Sequence, residues 1–273
     1  MRVTRVVIDA FTDWLSMKKA ELRYNSRHWT VLCLHEVTDR EGFATLLGEL
    51  ESRYKIVSLS EGFRAIKSGR VNAPLLTLTF DDGDKTVSKN CLPELQSRSL
   101  PACLFVCTGF VEAGFRDVST GRYEVMSWDD LKNWAQAGLE VGAHTVNHIP
   151  LNQATMERSK WEILESKSVL EGRLDCPVRH LAYPWGYYTD ELDEWLQSGD
   201  AFDTISTTIP GDNYPNARGK QIYRKPAPSI AGDVRKGLRN PTLYETVRAA
   251  HQRSILNGLA PVVWRLDQRD ARR

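Results

Sequence analysis

The chain has 273 residues, of which 26% are charged and 41% hydrophobic, and its formal net charge at pH 7 is +1. A chain this close to neutral has no field that would attract a polyanion, so nucleic acid is excluded as a first interpretation of its partner. The 5 cysteines are an odd number scattered along the chain, which does not match a disulfide framework and indicates a reducing compartment.

The N-terminal segment predicts an amphipathic helix. Apolar and charged residues alternate at helical spacing over residues 2–24, and we expect this helix to pack on the domain. The segment lacks the apolar core and small-residue cleavage site of a secretory signal. No run of about 18 apolar residues occurs, so no integral membrane segment is expected. These features favour the cytoplasm, including a peripheral position at the inner membrane face.

From residue 29 onward, strand patterns alternate with helical patterns. The predicted strands are 29–34, 56–57, 75–80, 102–106, 139–143, 178–183, 202–207 and 221–224, whereas 109–123 is predicted as a loop. This alternation is typical of a parallel sheet. Seven or eight strand and helix pairs favour a distorted (β/α) barrel of about seven strands over an open doubly wound sheet.

No linker, internal repeat or low-complexity segment divides the chain. We therefore predict a single catalytic domain over residues 1–273. Residues 1–28 form its N-terminal helix in this interpretation, and residues 226–273 form a mainly helical C-terminal extension.

Polar side chains of the kinds that bind metals or catalyse reactions follow several of the predicted strands. They are His35, Asp81 with Asp82, His144, the turn at 183–186, Thr207 and Arg224. In a (β/α) barrel the carboxyl ends of the strands meet on one face, where active sites are built from the connecting loops. We therefore expect these residues to form one site.

Two histidines four residues apart predict a metal site. His144 and His148 follow a strand and precede Pro150, so a tight turn can point both rings the same way. A carboxylate from Asp81 or Asp82 completes a two-histidine, one-carboxylate set that suits Zn²⁺ and also Fe²⁺, Co²⁺ or Ni²⁺. The other aspartate is then free to accept a proton from water, which indicates hydrolysis of an amide or ester.

Two of these motifs resemble signatures of a known family. The sequences TFDDG at 79–83 and HTVNH at 144–148 resemble the first two motifs of the polysaccharide deacetylases, the NodB-homology group of carbohydrate esterases. The resemblance implies that Asp81 is the general base. It also implies that Asp82, His144 and His148 bind one divalent ion, Zn²⁺ in the first place and otherwise Co²⁺ or Ni²⁺.

A third motif is implied by the same resemblance. The sequence AYPWG at 182–186 is similar to the family motif that lines the substrate groove and contributes a backbone N–H to the oxyanion site. The predicted substrate-binding residues are Tyr183, Pro184, Trp185, Gly186 and Tyr187. Trp185 and Tyr187 are the candidates for stacking on a sugar ring.

The chain departs from the common family pattern at two points. The third motif lacks the arginine that orients the base in many members; Arg179 and Arg224 are the alternatives, and Arg224 is favoured. No strand ending in a catalytic histidine follows residue 225, and His35 at the end of the first strand fits that description. This order is similar to the circularly permuted members, such as the biofilm poly-N-acetylglucosamine deacetylases, and implies His35 as the acid.

The function implied by the resemblance is a metal-dependent N-deacetylase. Its substrate would be the acetamide of an acetylated amino sugar, in a glycan or in a sugar-linked biosynthetic intermediate. An O-deacetylase, a cyclic-amide hydrolase and a non-catalytic carbohydrate-binding relic are the alternatives. An iron oxygenase is disfavoured because its usual scaffold is a β-sandwich. The sequence specifies neither the sugar nor the oligomeric state.

Overall fold

The computed structural model describes residues 27–118, 121–215 and 219–227. Except for residues 27–28 and 226–227, the predicted N-terminal helix and C-terminal extension lie outside the described residues. The strands are β1 Trp29–Leu34, β2 Lys55–Ile56, β3 Leu75–Phe80, β4 Cys103–Val106, β5 Phe115–Val118, β6 Gly121–Glu124, β7 Glu140–Ala143, β8 His180–Ala182, β9 Thr204–Ser206, β10 Gln221–Ile222 and β11 Lys225–Pro226. The helices are α1 Arg40–Glu51, α2 Leu59–Lys67, α3 Leu92–Ser97, α4 Thr108–Ala113, α5 Trp128–Gln136, α6 Met156–Leu174 and α7 Asp190–Ser198.

The main sheet is parallel and curled into a distorted (β/α) barrel, as the strand and helix alternation predicts. Its strand order is β10-β9-β8-β7-β4-β3-β1-β11, with β2 also paired to β3. The two outer strands, β10 and β11, are separated in sequence only by Tyr223 and Arg224. The chain itself therefore joins the two edges of the sheet. The strand predicted over 221–224 is thus shorter, because β10 ends at Ile222, and β11 begins at Lys225 on the opposite edge, with Arg224 between the two strands.

Alternation along the strands separates an inner from an outer face. Along β3, Leu76, Leu78 and Phe80 belong to the large core under the helices. Leu75 belongs instead to a smaller cluster inside the barrel, together with residues of β1, β4, β8 and β10. Because side chains alternate with a period of two, Asp81 continues the inner row of β3.

Helix α2 covers the amino-terminal end of the barrel. A side chain at Gly62 would place its Cβ 2.2 Å from the Trp29 ring, so only glycine lets the helix lie this close. The Glu140 carboxylate accepts the backbone N–H groups of Leu59 at 2.7 Å and Ser60 at 3.1 Å. A negative side chain at a helix N-terminus is favourable because the first N–H groups lack intrahelical partners. The opposite end of the barrel remains available for a site.

The loop predicted over 109–123 has regular structure. It contains the end of α4 and the antiparallel hairpin of β5 and β6, in which Phe115 pairs with Glu124. Most of the residues described in β6 are exposed, so the hairpin has little of the apolar alternation by which a buried strand is recognised.

Among the helices described, none combines the length and the apolar character needed to cross a bilayer.

Candidate active site

Three side chains at the carboxyl end of the barrel form a candidate metal centre. One ligand atom each from Asp82, His144 and His148 lies within 4.8 Å of the others. Asp82 Oδ1 is 3.2 Å from His148 Nε2 and 3.5 Å from His144 Nε2. This oxygen is buried and has no hydrogen-bond partner among the described residues. An unpaired buried carboxylate oxygen facing two imidazoles fits a cation that accepts nitrogen and oxygen ligands.

The backbone turns these ligands toward each other at some conformational cost. Asp82, Thr145 and His148 have φ values of 69°, 67° and 50°, in the left-handed region that non-glycine residues rarely adopt. The His144 ring is fixed differently, because its Nδ1 donates to the Ala182 carbonyl at 2.8 Å. In the neutral ring, that bond places the proton on Nδ1 and leaves Nε2 able to bind a metal.

Glu162 on α6 holds the loop that carries the two histidines. Its side chain is fully buried and accepts the backbone N–H groups of Val146 at 3.0 Å and Asn147 at 2.8 Å. The Asn147 side-chain amide at 2.9 Å and Arg158 at 2.6 Å bind its other oxygen. Glu162 was not among the predicted site residues. A glutamate on the apolar face of a helix is the only sequence signal that points to it, and that signal is weak.

The inner row of β3 delivers Asp81 into a buried ion pair with Arg224. The guanidinium donates to Oδ1 at 2.7 Å and to Oδ2 at 2.8 Å, and Arg224 is 1% exposed. Burial by itself raises the pKa of Asp81, but the charge and hydrogen bonds of Arg224 outweigh it and lower that pKa to about 2. Of the two predicted arginines, Arg179 lies elsewhere and faces Asp203 at the surface.

A second arginine, absent from the predicted set, contacts the metal-site aspartate. Arg116 on β5 donates to Asp82 Oδ2, and it lies 3.2 Å from Glu36 Oε2 and 3.5 Å from Asp84 Oδ2. The bond to Oδ2 leaves Oδ1 to face the two histidines. No sequence signal separates Arg116 from the surrounding arginines, because its role depends on how the hairpin packs beside the turn that follows β3.

His35 is exposed at the end of β1 and lies beside Asp81. A ring nitrogen of His35, the Cys33 sulfur and an Asp81 oxygen lie within 4.8 Å of one another. Pairing of β1 with β3 explains this, because Leu34 is opposite Phe80 and the next residues along are His35 and Asp81. The Cys33 thiol donates to Asp81 Oδ2 at 3.4 Å, and burial raises the pKa of that thiol well above its usual range.

The third motif is divided between the site and the core. Trp185 is 50% exposed, and its ring centroid lies 4.2 Å from that of His148 and 6.1 Å from that of Tyr187. Pro184 and Gly186 are buried in the turn beneath them. Gly186 has a φ of 74°, and a Cβ there would lie 2.1 Å from Thr208 Oγ1. The predicted turn therefore forms a wall of the metal centre with Trp185 as its exposed member.

Tyr183 does not take the predicted substrate-binding position. Its side chain is fully buried, stacks on Tyr188 and donates its hydroxyl to Asp193 at 3.0 Å. Its backbone N–H is bonded to the Ser206 carbonyl. The reason is strand alternation: Ala182 belongs to the inner cluster, so the next residue points to the helices.

The fold and the site together define a class of protein, the (β/α) barrels with a metal site. The barrel is curled and parallel, and it carries two histidines with one aspartate beside a buried aspartate–arginine pair. Within that class, residues 68–199 match the family model described as polysaccharide deacetylase. The Bacillus subtilis (strain 168) protein named "Putative polysaccharide deacetylase YxkH" is 25% identical over 114 residues, which are 42% of this chain and 38% of that protein. The matched stretch thus spans well under half of the length of that relative.

Solved structures share the fold. IcaB from Ammonifex degensii has a TM-score of 0.66 and 24% identity, over 82% of this chain and 97% of that one. The Streptococcus pyogenes deacetylase PplD in complex with acetate has a TM-score of 0.63 and 24% identity, over 72% and 91%. The BpsB deacetylase domain from Bordetella bronchiseptica has a TM-score of 0.62 and 18% identity, over 73% and 95%. Residues 68–199 thus match the polysaccharide deacetylase family model, and the fold is shared with solved deacetylase structures.

Proposed function

We propose that this protein is a metal-dependent N-deacetylase that hydrolyses the acetamide of an acetylated amino sugar. The observation that carries the proposal is the pairing of two distinct sets of groups at one end of the barrel. Asp82, His144 and His148 converge as metal ligands, and Asp81 lies beside them in a buried pair with Arg224. Hydrolysis of an amide needs both an electrophilic centre and a base placed next to it.

The metal ligands supply the first requirement. An ion held by Asp82, His144 and His148, with Zn²⁺ preferred and Co²⁺ or Ni²⁺ as alternatives, would lower the pKa of water and polarise the acetamide carbonyl. Arg116 binds the second oxygen of Asp82, and the Ala182 carbonyl fixes the His144 ring. These contacts hold the ligand atoms in place before any ion arrives, which favours both affinity and a defined geometry.

Asp81 takes the role of general base. The low pKa that Arg224 imposes keeps its carboxylate ionised throughout the neutral range. Arg224 binds both carboxylate oxygens, so it also fixes the plane in which Asp81 accepts a proton from the attacking water. Arg224 is itself held by the Thr207 carbonyl at 3.0 Å, so the orientation does not depend on a mobile side chain.

His35 takes the role of general acid, because the amine that leaves from an amide must gain a proton. Its ring is exposed at the rim, where a substrate can reach it, and it is one residue beyond β1. Trp185 and Tyr187 provide the platform for the sugar, since an exposed indole beside the metal centre can cover the apolar face of a pyranose ring.

The proposal is tested by measuring acetate release from acetylated amino sugars as monomers, oligomers, nucleotide-linked and lipid-linked forms. The protein is loaded in turn with Zn²⁺, Co²⁺ or Ni²⁺. We expect release from at least one N-acetyl substrate, with one metal ion bound per chain. His148→Ala is the matched control and should lose both metal and activity. Release only from O-acetyl substrates would replace the proposal by an O-deacetylase, and full metal occupancy in His148→Ala would overturn the ligand assignment.

A further inference from the structure

A second group of metal-binding side chains lies beside the first. Cys33, His35 and Asp81 offer a sulfur, a ring nitrogen and a carboxylate oxygen, all within 4.8 Å of one another. None of the three belongs to the Asp82, His144 and His148 set. Strands β1 and β3 bring the second group together, because they are paired and Cys33 and Asp81 continue their inner rows.

The spacing of the group is close to that of a coordination shell. With metal–ligand bonds of about 2.0–2.3 Å, the ligand atoms of a tetrahedral site lie about 3.3–3.8 Å apart. Cys33 Sγ and Asp81 Oδ2 already lie 3.4 Å apart. His35 is exposed on a loop, so its ring can move the remaining distance without disturbing the core.

We propose that Cys33, His35 and Asp81 form a second, inhibitory site for a thiophilic divalent cation such as excess Zn²⁺ or Cd²⁺. On binding, the Cys33 thiol releases its proton to solvent and a sulfur–metal bond forms, with no change of oxidation state. The thiolate selects Zn²⁺, Cd²⁺ or Co²⁺ and excludes Mg²⁺ and Ca²⁺, which prefer oxygen ligands.

This site is weaker than the resident centre for two reasons. The Asp81 carboxylate already shares both oxygens with Arg224, whose positive charge repels an incoming cation. Binding also requires the buried Cys33 thiol to lose its proton, and burial disfavours the thiolate. The second cation therefore binds only after the first site is filled.

The effect on activity rests on the proposed function, because a cation at this site would occupy both the proposed base, Asp81, and the proposed acid, His35. Inhibition by excess Zn²⁺, and not by excess Mg²⁺, is the expected result. Binding can nevertheless be measured without any substrate. Failure of the second site is therefore distinguishable from failure of the deacetylase proposal.

The experiment uses the whole chain titrated with Co²⁺, which reports sulfur ligation through a thiolate-to-cobalt charge-transfer absorption. We expect the first equivalent to bind without that absorption and the second to produce it. Cys33→Ser and Cys33→Ala should abolish the absorption and weaken the second binding step by at least about tenfold, since even partners outside the coordination shell contribute 10–100-fold. The half-buried Cys176, which is not part of the group, supplies the matched control Cys176→Ser, which should behave as the unchanged chain.

Three results would overturn the proposal. They are a stoichiometry of one ion at excess Co²⁺, a charge-transfer absorption that persists in both Cys33 variants, and an absorption already complete with the first equivalent. Two variants are used so that poor folding of one does not decide the outcome. If the protein is active, inhibition by excess Zn²⁺ is measured relative to each variant's own rate with one equivalent of metal. The Cys33 substitutions should relieve this inhibition, and Cys176→Ser should not.

Discussion

Asp81 and Asp82 are adjacent in sequence but have different surroundings. Asp81 continues the inner row of β3 and meets Arg224, whereas simple alternation would send Asp82 outward. The left-handed backbone at Asp82, with a φ of 69°, turns its side chain back toward His144 and His148. The two carboxylates at this strand end therefore have separate partners, which is the basis for proposing one as the base and the other as a metal ligand.

Substitution of Asp81 by asparagine should separate those roles. We expect Asp81→Asn to retain its metal and to lose acetate release by at least ~10²-fold, the usual effect of removing a general base. Metal content and kcat are measured on the same preparation. Asp82→Asn is the comparison and should lose metal. If Asp81→Asn loses its metal instead, Asp81 is a ligand and the assignment is reversed.

His35 can be tested through the leaving group of the substrate. An amide nitrogen must be protonated as it departs, whereas the phenolate of an aryl acetate leaves without a proton. We therefore expect His35→Gln to retain metal and to reduce kcat much more on the amide than on the aryl acetate. Equal losses on the two substrates would mean that His35 orients the substrate or stabilises charge, and unchanged rates on both would remove it from the mechanism.

At the scale of elements, helix α6 determines the shape of the histidine loop. Glu162 binds two successive backbone N–H groups of that loop from inside the core. Within the loop, the backbone N–H of His148 donates to Thr145 Oγ1 at 3.1 Å. The loop is therefore held both by Glu162 and by its own hydrogen bond. The geometry of the candidate metal centre thus depends on a carboxylate whose hydrogen bonds go to the loop and to Arg158.

Replacing that carboxylate should weaken metal binding. In Glu162→Gln one of the two oxygens is replaced by an amide group, which cannot accept an N–H bond, so the loop loses part of its support. We expect metal affinity to fall about 10–100-fold, as for other partners behind a metal ligand, measured by competition with a chromophoric chelator. Glu165→Gln makes the same change on an exposed position of α6 and should leave affinity unchanged. Equal affinity in both variants would show that the loop holds its shape without Glu162.

At the scale of the whole molecule, the two ends of the barrel are specialised differently. The carboxyl end holds the candidate metal centre. The amino end is closed by α2 and stabilised by Glu140, which binds the N-terminus of that helix and lies 3.5 Å from the buried His180. His180 also contacts Ser60 at 3.0 Å and Thr204 at 2.8 Å, which agrees with a structural role.

Glu140 makes stability depend on acid pH. Burial raises the pKa of Glu140, but hydrogen bonds and charge from His180 and Ser60 outweigh it and lower that pKa from 4.5 to about 2. A depressed carboxyl pKa stabilises the fold above pH 4.5, and that contribution is lost as the pH falls from 4.5 toward 2. The shift corresponds to about 3 kcal/mol at most.

Urea unfolding between pH 6 and 3 measures this contribution. We expect the free energy of unfolding to decline less steeply with falling pH in Glu140→Gln than in the unchanged chain, because the variant has no carboxyl to protonate there. Glu165→Gln, which removes an exposed carboxyl, should follow the unchanged chain. Parallel declines in all three proteins would contradict the role assigned to Glu140.

Much of the fold and part of the site follow from the sequence alone. Alternating strand and helix patterns predict the parallel barrel, and the polar residues after each strand predict which end carries the site. The sequence also predicts that Asp82, His144 and His148 lie together, which the structure shows, because each motif is local and lies at a strand end. Pattern and spacing suffice where the determining residues are neighbours in the chain.

The remaining features depend on contacts between distant residues. Arg224 meets Asp81 across 143 positions only because the chain between β10 and β11 closes the barrel. Arg116 reaches Asp82 only because the hairpin packs beside the turn that follows β3. Tyr183 is predicted to bind substrate but lies in the core, because the sequence does not show which face of β8 is inside. Local periodicity records which residues alternate, but strand register, closure and the direction of each face are decided when the whole sheet packs.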